Sequence, residues 1–131
     1  MVKPVIILIA FLFSTATTGQ DLGKEMQCRN GGALVMGAWH QLSFCLHYHK
    51  LNIGKVSEVR QLVSKTYPQI VQEIDSESEL SLSMKQIAYA LPFDFSNNQN
   101  ANLLESICES SISAMNTYVE PNWQKELSCW Q

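Results

Sequence analysis

The chain has 131 residues, with nine lysines and arginines against twelve aspartates and glutamates, and a formal net charge of −3 at pH 7. This balance argues against nucleic acid and anionic membranes as partners, because both require clustered basic side chains. The length is that of one domain with a modest core, which covalent cross-links would help to stabilise.

Residues 1–19 have the layout of a secretory signal peptide. A lysine precedes an apolar run at 5–13, small residues follow it, and cleavage is predicted after Ala16 or Gly19. The run is about half of the roughly 20 residues needed to span a bilayer, so no stable membrane anchor is expected. The sequence therefore predicts a secreted or periplasmic protein with a single helical domain at 20–131.

Residues 28–48 show the apolar period of an α-helix. Nine of them fall within an arc of about 140° on a helical wheel and form the predicted buried stripe. These are Cys28, Gly31, Leu34, Val35, Ala38, Trp39, Leu42, Cys45 and Leu46. Met36, His40, Phe44 and His47 lie outside this arc, so their side of the helix is predicted to face solvent.

Three shorter helices are predicted to follow, or two if the first and second form one helix that is kinked at Pro68. Ser57 is the predicted N-cap of the first, and Pro68 separates it from the second, because proline fits a first turn but not a helix interior. Ser76 and Glu79 have the spacing of a capping box and predict the start of the third, which ends before Pro92.

The last third of the chain predicts a loop and two more helices. The Asn-rich stretch 92–100 is typical of turns, and 101–119 is the clearest amphipathic helix of the sequence. Pro121 begins a final short helix. No segment alternates apolar and polar residues as a half-buried strand does. The predicted fold class is all-α, a small disulfide-stapled bundle of about four to five helices.

Four cysteines follow the predicted cleavage sites, and in an exported protein a small even number predicts two disulfides. On one continuous helix Cys28 and Cys45 would be about 25 Å apart, whereas a bridge needs Cα atoms within about 7 Å. Cys45 and Cys108 both lie on buried stripes, so the preferred pairing is Cys45–Cys108 with Cys28–Cys129. The crossed pairing is the second choice and the sequential pairing the third.

The stretch 39–50 contains three histidines and a cysteine, a composition that raises the question of a metal or catalytic site. His40 and His47 would be about 10 Å apart along a helix, too far to share a zinc ion held at about 2.1 Å per ligand. Cys45 is predicted to be oxidised, so no thiolate nucleophile is expected. We therefore predict no metal, no cofactor and no enzymatic activity, and interpret the histidines as solvated.

A partner-binding surface is the main functional hypothesis from the residues. Apolar groups on a side of a helix that should be polar mark interaction sites, and aromatic residues in a loop can anchor an interface. The predicted partner-binding residues are Met36, His40, Phe44, His47, Phe93 and Phe95. The alternative is that the phenylalanines pack inside the protein, Phe44 beneath a neighbouring loop and the other two as a core plug.

Together these features predict a small exported helical protein that binds another protein, as an inhibitor, an immunity factor or an accessory subunit. In size, export signal and helix content it is similar to periplasmic immunity proteins, a likeness of architecture only. One alternative is a carrier of a small apolar ligand, held in a pocket lined by Leu34, Met84, Ile87 and Met115. A further alternative is a hydrolase or metalloenzyme.

Overall fold

The computed structural model describes residues 16–48, 51–91 and 100–131, with side chains from Leu22 onward. Within these ranges the chain forms six α-helices and a terminal turn of 3-10 helix, and no strand. The helices are α1 (Ala16–Tyr48), α2 (Ile53–Thr66), α3 (Pro68–Asp75), α4 (Glu79–Tyr89), α5 (Ala101–Tyr118) and α6 (Pro121–Glu126), followed by the turn Ser128–Trp130. The predicted all-α class is confirmed.

Helix α1 is the centre of the bundle, since all the other helices and the terminal turn pack against it. Val35, Leu42 and Cys45 of the predicted stripe are fully buried. Leu34 and Leu46, which were predicted to be buried with them, are 50% and 38% exposed. Leu34 faces a gap between two neighbouring helices, and Leu46 lines an open space between α1 and α2.

The starts of α1 and α2 differ from the predicted ones. Helix α1 begins at Ala16 and therefore runs through both predicted cleavage positions. Helix α2 has Asn52 as its N-cap rather than Ser57, and the Asn52 side chain accepts a hydrogen bond of 3.2 Å from the Lys55 backbone N–H. This bond satisfies one of the N–H groups that the first turn leaves without a helical partner.

Pro68 separates α2 from α3 as predicted, and it occupies the first turn of α3. The predicted capping box of α4 is wrong. Its N-cap is Ser78, whose hydroxyl oxygen accepts a hydrogen bond of 3.2 Å from the Ser81 backbone N–H. Ser76 instead ends α3. The start of α4 is therefore two residues later than a cap at Ser76 would place it.

Two disulfides attach the later helices to α1, with the preferred pairing of the sequence. Cys28 is bridged to Cys129 and Cys45 to Cys108, at Cα–Cα distances of 6.2 and 5.8 Å. The Trp130 indole N–H also donates a hydrogen bond of 2.8 Å to the Cys28 carbonyl oxygen. The C-terminal turn is thus fastened to α1 by a covalent bond and by a buried ring.

None of the described helices combines the length and the apolar character that crossing a bilayer requires.

Candidate functional site

The predicted solvent-facing side of α1 is wrong for three of its four residues. Met36 is 0%, Phe44 6% and His40 8% exposed, so they form a second buried stripe beside the predicted one. The reason is that α1 is covered on more sides than a helix at the edge of a bundle, and a helix in this position buries most of its circumference. These three residues cannot present the predicted patch to a partner.

The remaining predicted contact residues do not rebuild that patch. His47 is exposed, and its ring stands edge-on against Tyr48 at 4.5 Å between centroids. Phe93 and Phe95 lie outside the described residues. Phe44 packs against the rings of Tyr48 and Tyr89 at 4.6 and 5.3 Å, which agrees with the alternative of internal packing.

His40 belongs to the contact between α1 and α4. Its Nε2 lies 2.9 Å from the Ser81 hydroxyl oxygen, and Ser81 is 1% exposed. Burial, and then the positive charges of Lys85 and Arg60, lower the pKa of His40 below its ordinary value. The neutral form of the ring therefore predominates at pH 7.

A histidine next to a serine is also the geometry of an activated nucleophile. Here the Ser81 hydroxyl is buried between α1 and α4, and a nucleophile has to reach a substrate carbonyl. The pair therefore acts as a polar link within the core. Among the described residues no group of three or more histidine, cysteine or acidic side chains is arranged to hold a metal ion.

An open groove of about 440 Å³ lies between α1, α4 and α5. Most of its lining residues are apolar or small, and none of them is charged. They are Leu34, Gly37, Ala38, Gln41, Met84, Ile87, Ala88, Ser106, Ile107, Ser110, Ser111, Ala114 and Tyr118. Leu34 and Ile87 are 50% and 65% exposed, so apolar side chains of two helices stand at the groove in contact with solvent.

The groove exists because α4 and α5 each pack on α1 but make few contacts with one another. Helix α4 is held to α1 at Gly37, where an added Cβ would lie 3.0 Å from Met84 Cε, and by a Gln41 side-chain N–H that donates to the Ala88 carbonyl oxygen at 3.4 Å. The Cys45–Cys108 bridge holds α5 on the other side. Small residues of α1 and α5 then form a floor between the two helices.

No family model, curated protein or solved structure matches the chain.

Some of the residues that line the groove could be predicted from the sequence, and the others could not. Leu34, Met84 and Ile87 were predicted to line a pocket and do line the groove, whereas Met115 lies in the core and is 0% exposed. The missed residues are mostly small ones of α5, such as Ser106 and Ser110. Their four-residue spacing places them on one side of the helix, but serine at the surface is too common to indicate a site.

Proposed function

We propose that this is an exported protein that acts by binding another protein, as an inhibitor, an immunity factor or an accessory subunit, and that the groove between α1, α4 and α5 is its binding surface. The two disulfides are typical of proteins from an oxidising compartment, which supports export. The observation that carries the proposal is an uncharged, largely apolar groove with Leu34 and Ile87 exposed beside it. Such exposed apolar surface is costly in water and is usually covered by a partner.

The shape of the groove favours a helix of the partner as occupant. Its lining on α5 runs from Ser106 to Tyr118, which is about 18 Å or three turns of helix. An amphipathic helix fills an apolar groove with side chains spaced three and four residues apart. The exposed Glu105 and Glu109 are sequence neighbours of groove residues, so we expect basic residues to flank the apolar face of that helix.

A carrier of a small apolar ligand is the second candidate, because three of the four residues predicted to line its pocket do line the groove. Small-molecule sites usually enclose roughly 70–90% of the ligand surface. This groove is open along its length, which favours a protein over a small molecule. Native mass spectrometry separates the two, since a carrier would retain a small apolar molecule that unfolding releases.

Photo-crosslinking tests the protein-binding proposal. Benzoylphenylalanine in place of Ile87 is expected to give one discrete adduct from a periplasmic or secreted extract, because Ile87 is exposed at the groove. The matched control is the same replacement at Leu62, which is 41% exposed on α2 and does not line the groove. Peptide sequencing should place the adduct on an amphipathic helix with basic flanks.

The variant Ser110→Glu supplies the second control, because it adds a charge to the exposed floor of the groove. It should remove the Ile87 adduct while the melting temperature stays unchanged. The same adducts from Ile87 and Leu62, or an Ile87 adduct that survives Ser110→Glu, would count against the groove as the binding surface.

A further inference from the structure

A second pocket, of about 250 Å³, lies between α1, the turn from α3 to α4, and α4 itself. It is more enclosed than the groove and has a different chemistry. Its charged lining residues are Glu77 and Lys85, and its other polar residues are Ser43 and the hydrogen-bonded, buried pair of His40 and Ser81. The aromatic rings of Trp39 and Tyr89 also line it, so polar groups and flat apolar surfaces converge on one small space.

Glu77 occupies a backbone conformation that favours glycine. Its φ is 54°, and in the described part of the chain it is the one residue other than glycine with a positive φ. It follows the end of α3, where the Glu77 N–H donates to the Ile74 carbonyl at 3.2 Å and the Ser78 N–H donates to the Glu73 carbonyl at 3.1 Å. This is the Schellman arrangement, in which glycine is the usual residue.

A glutamate at this position is therefore less stable than glycine would be. Strained residues often occur at functional sites, where the side chain has a role that offsets the strain. The side chain of Glu77 lines the pocket, which gives the strained residue such a role.

The two charges of the pocket do not neutralise one another in the described part of the chain. Glu77 and Lys85 both line it, yet no ion pair joins them among the described residues. The Lys85 ammonium instead lies 5.8 Å from the centre of the Tyr89 ring. A second cation is close by, because the Arg60 guanidinium donates a hydrogen bond of 2.7 Å to the Ser43 hydroxyl oxygen.

Arg60 does not line this pocket but lies between α1 and α2, and its guanidinium also donates a hydrogen bond of 3.0 Å to the Trp39 carbonyl oxygen. Its guanidinium lies 4.7 Å above the Trp39 ring centre, and its Nε is buried without a hydrogen-bond acceptor. Burial lowers the pKa of Arg60 from its ordinary value, although the group stays charged at neutral pH. The pocket thus has one ammonium group and one carboxylate in its lining, and the Arg60 cation is bonded to Ser43 outside it.

We propose that this pocket binds a small zwitterion of the α-amino-acid type with an apolar or aromatic side chain. Lys85 attracts the ligand carboxylate, and Glu77 receives the ligand ammonium group. The rings of Trp39 and Tyr89 flank the apolar part. A ligand with one charge only would leave either Glu77 or Lys85 partly desolvated and without a partner, so both charges are needed for tight binding.

Three probes of the same shape test this charge requirement by isothermal titration calorimetry on the oxidised protein at pH 7. L-phenylalanine carries both charges, 3-phenylpropanoate lacks the ammonium group, and 2-phenylethylamine lacks the carboxylate. We expect L-phenylalanine to bind at least about tenfold more tightly than either analogue, the ratio that one lost charged contact produces. Equal binding of all three, or binding of none, would overturn the proposal.

Two substitutions of Glu77 separate its charge from its backbone strain. Glu77→Gln keeps the strained backbone and removes the charge, so the affinity for L-phenylalanine should fall at least about tenfold with an unchanged melting temperature. Glu77→Gly should lose the same affinity while the melting temperature rises by about 4 °C, because glycine adopts a positive φ without strain. Glu77→Gln protein that binds L-phenylalanine as tightly as the unmodified protein would contradict the assignment.

Discussion

Replacing Gly32 with alanine is expected to lower the free energy of unfolding by about 3 kcal/mol, near the upper end of the range for overpacked cores. A Cβ on Gly32 would lie closer than 3.0 Å to three atoms of the Trp130 ring. The ring cannot easily retreat, because its N–H is bonded to the Cys28 carbonyl and the neighbouring Cys129 is bridged to Cys28. Urea denaturation followed by circular dichroism measures the loss.

The same substitution at Gly23 is the matched control. Gly23 also lies in α1, but an added Cβ there would meet no atom within 4 Å. Alanine is intrinsically the better helix residue by up to about 1 kcal/mol, so Gly23→Ala should be neutral or stabilising. A loss of stability in Gly32→Ala but not in Gly23→Ala would show that Trp130 packs on Gly32. A Gly32→Ala protein as stable as the unmodified one would contradict the position of the C-terminal turn.

Removal of either disulfide has the largest expected effect on stability. Each bridge closes a long loop, with sequence separations of 101 and 63 residues, and the chain-entropy model assigns each roughly 4 to 5 kcal/mol. The double variants are Cys28→Ala with Cys129→Ala, and Cys45→Ala with Cys108→Ala. Alanine is used instead of serine because Cys45 and Cys108 are fully buried, and a serine hydroxyl there would have no hydrogen-bond partner.

Equilibrium urea denaturation of the two double variants measures this loss against the unmodified protein. Peptide mapping of the oxidised protein is the control, since it verifies that Cys28 is joined to Cys129 before any comparison. The logarithmic dependence on loop length predicts nearly equal losses for the two bridges. A loss below about 1 kcal/mol for either variant would mean that the removed bridge constrains the unfolded chain far less than the chain-entropy model predicts.

The helices and the disulfide pairing could be predicted because local rules determine them. The period of apolar residues predicted α1 and α5. Pro68 predicted a helix boundary, and α3 does begin at Pro68. The separation of Cys28 from Cys45 along a continuous helix excluded their pairing by distance alone. The N-caps were less predictable, because serine and asparagine compete for the same role within a few residues.

The surroundings of α1 could not be derived from its own sequence. A helical wheel identifies the most apolar side of a helix, but the number of helices that cover the other sides is a property of the whole fold. Gly32, Met36, His40 and Phe44 recur every four residues, which was a signal of a second buried side. The sequence did not reveal that the polar member, His40, would find Ser81 as its buried partner.

Like the surroundings of α1, the groove is a result of tertiary packing and could be predicted only in part. The helical wheels of α1 and α4 placed Leu34, Met84 and Ile87 on inward sides, and these residues do meet in one groove. Met115 has an equally apolar position on α5 but faces the core. The distance between α4 and α5, which leaves the groove open, has no counterpart in the sequence of either helix.

Peroxide oxidation of the methionines tests the central position of α1 most directly. Met26 and Met36 both lie on α1, but Met26 is 63% and Met36 0% exposed, and the fully buried Met115 of α5 serves as an internal reference. Because oxidation follows exposure, mass spectrometry of the folded protein should show Met26 oxidised at least about tenfold faster than Met36. Oxidation of Met36 as fast as that of Met26 would contradict the buried side of α1. It would mean that the predicted partner-binding patch with Met36 is exposed after all.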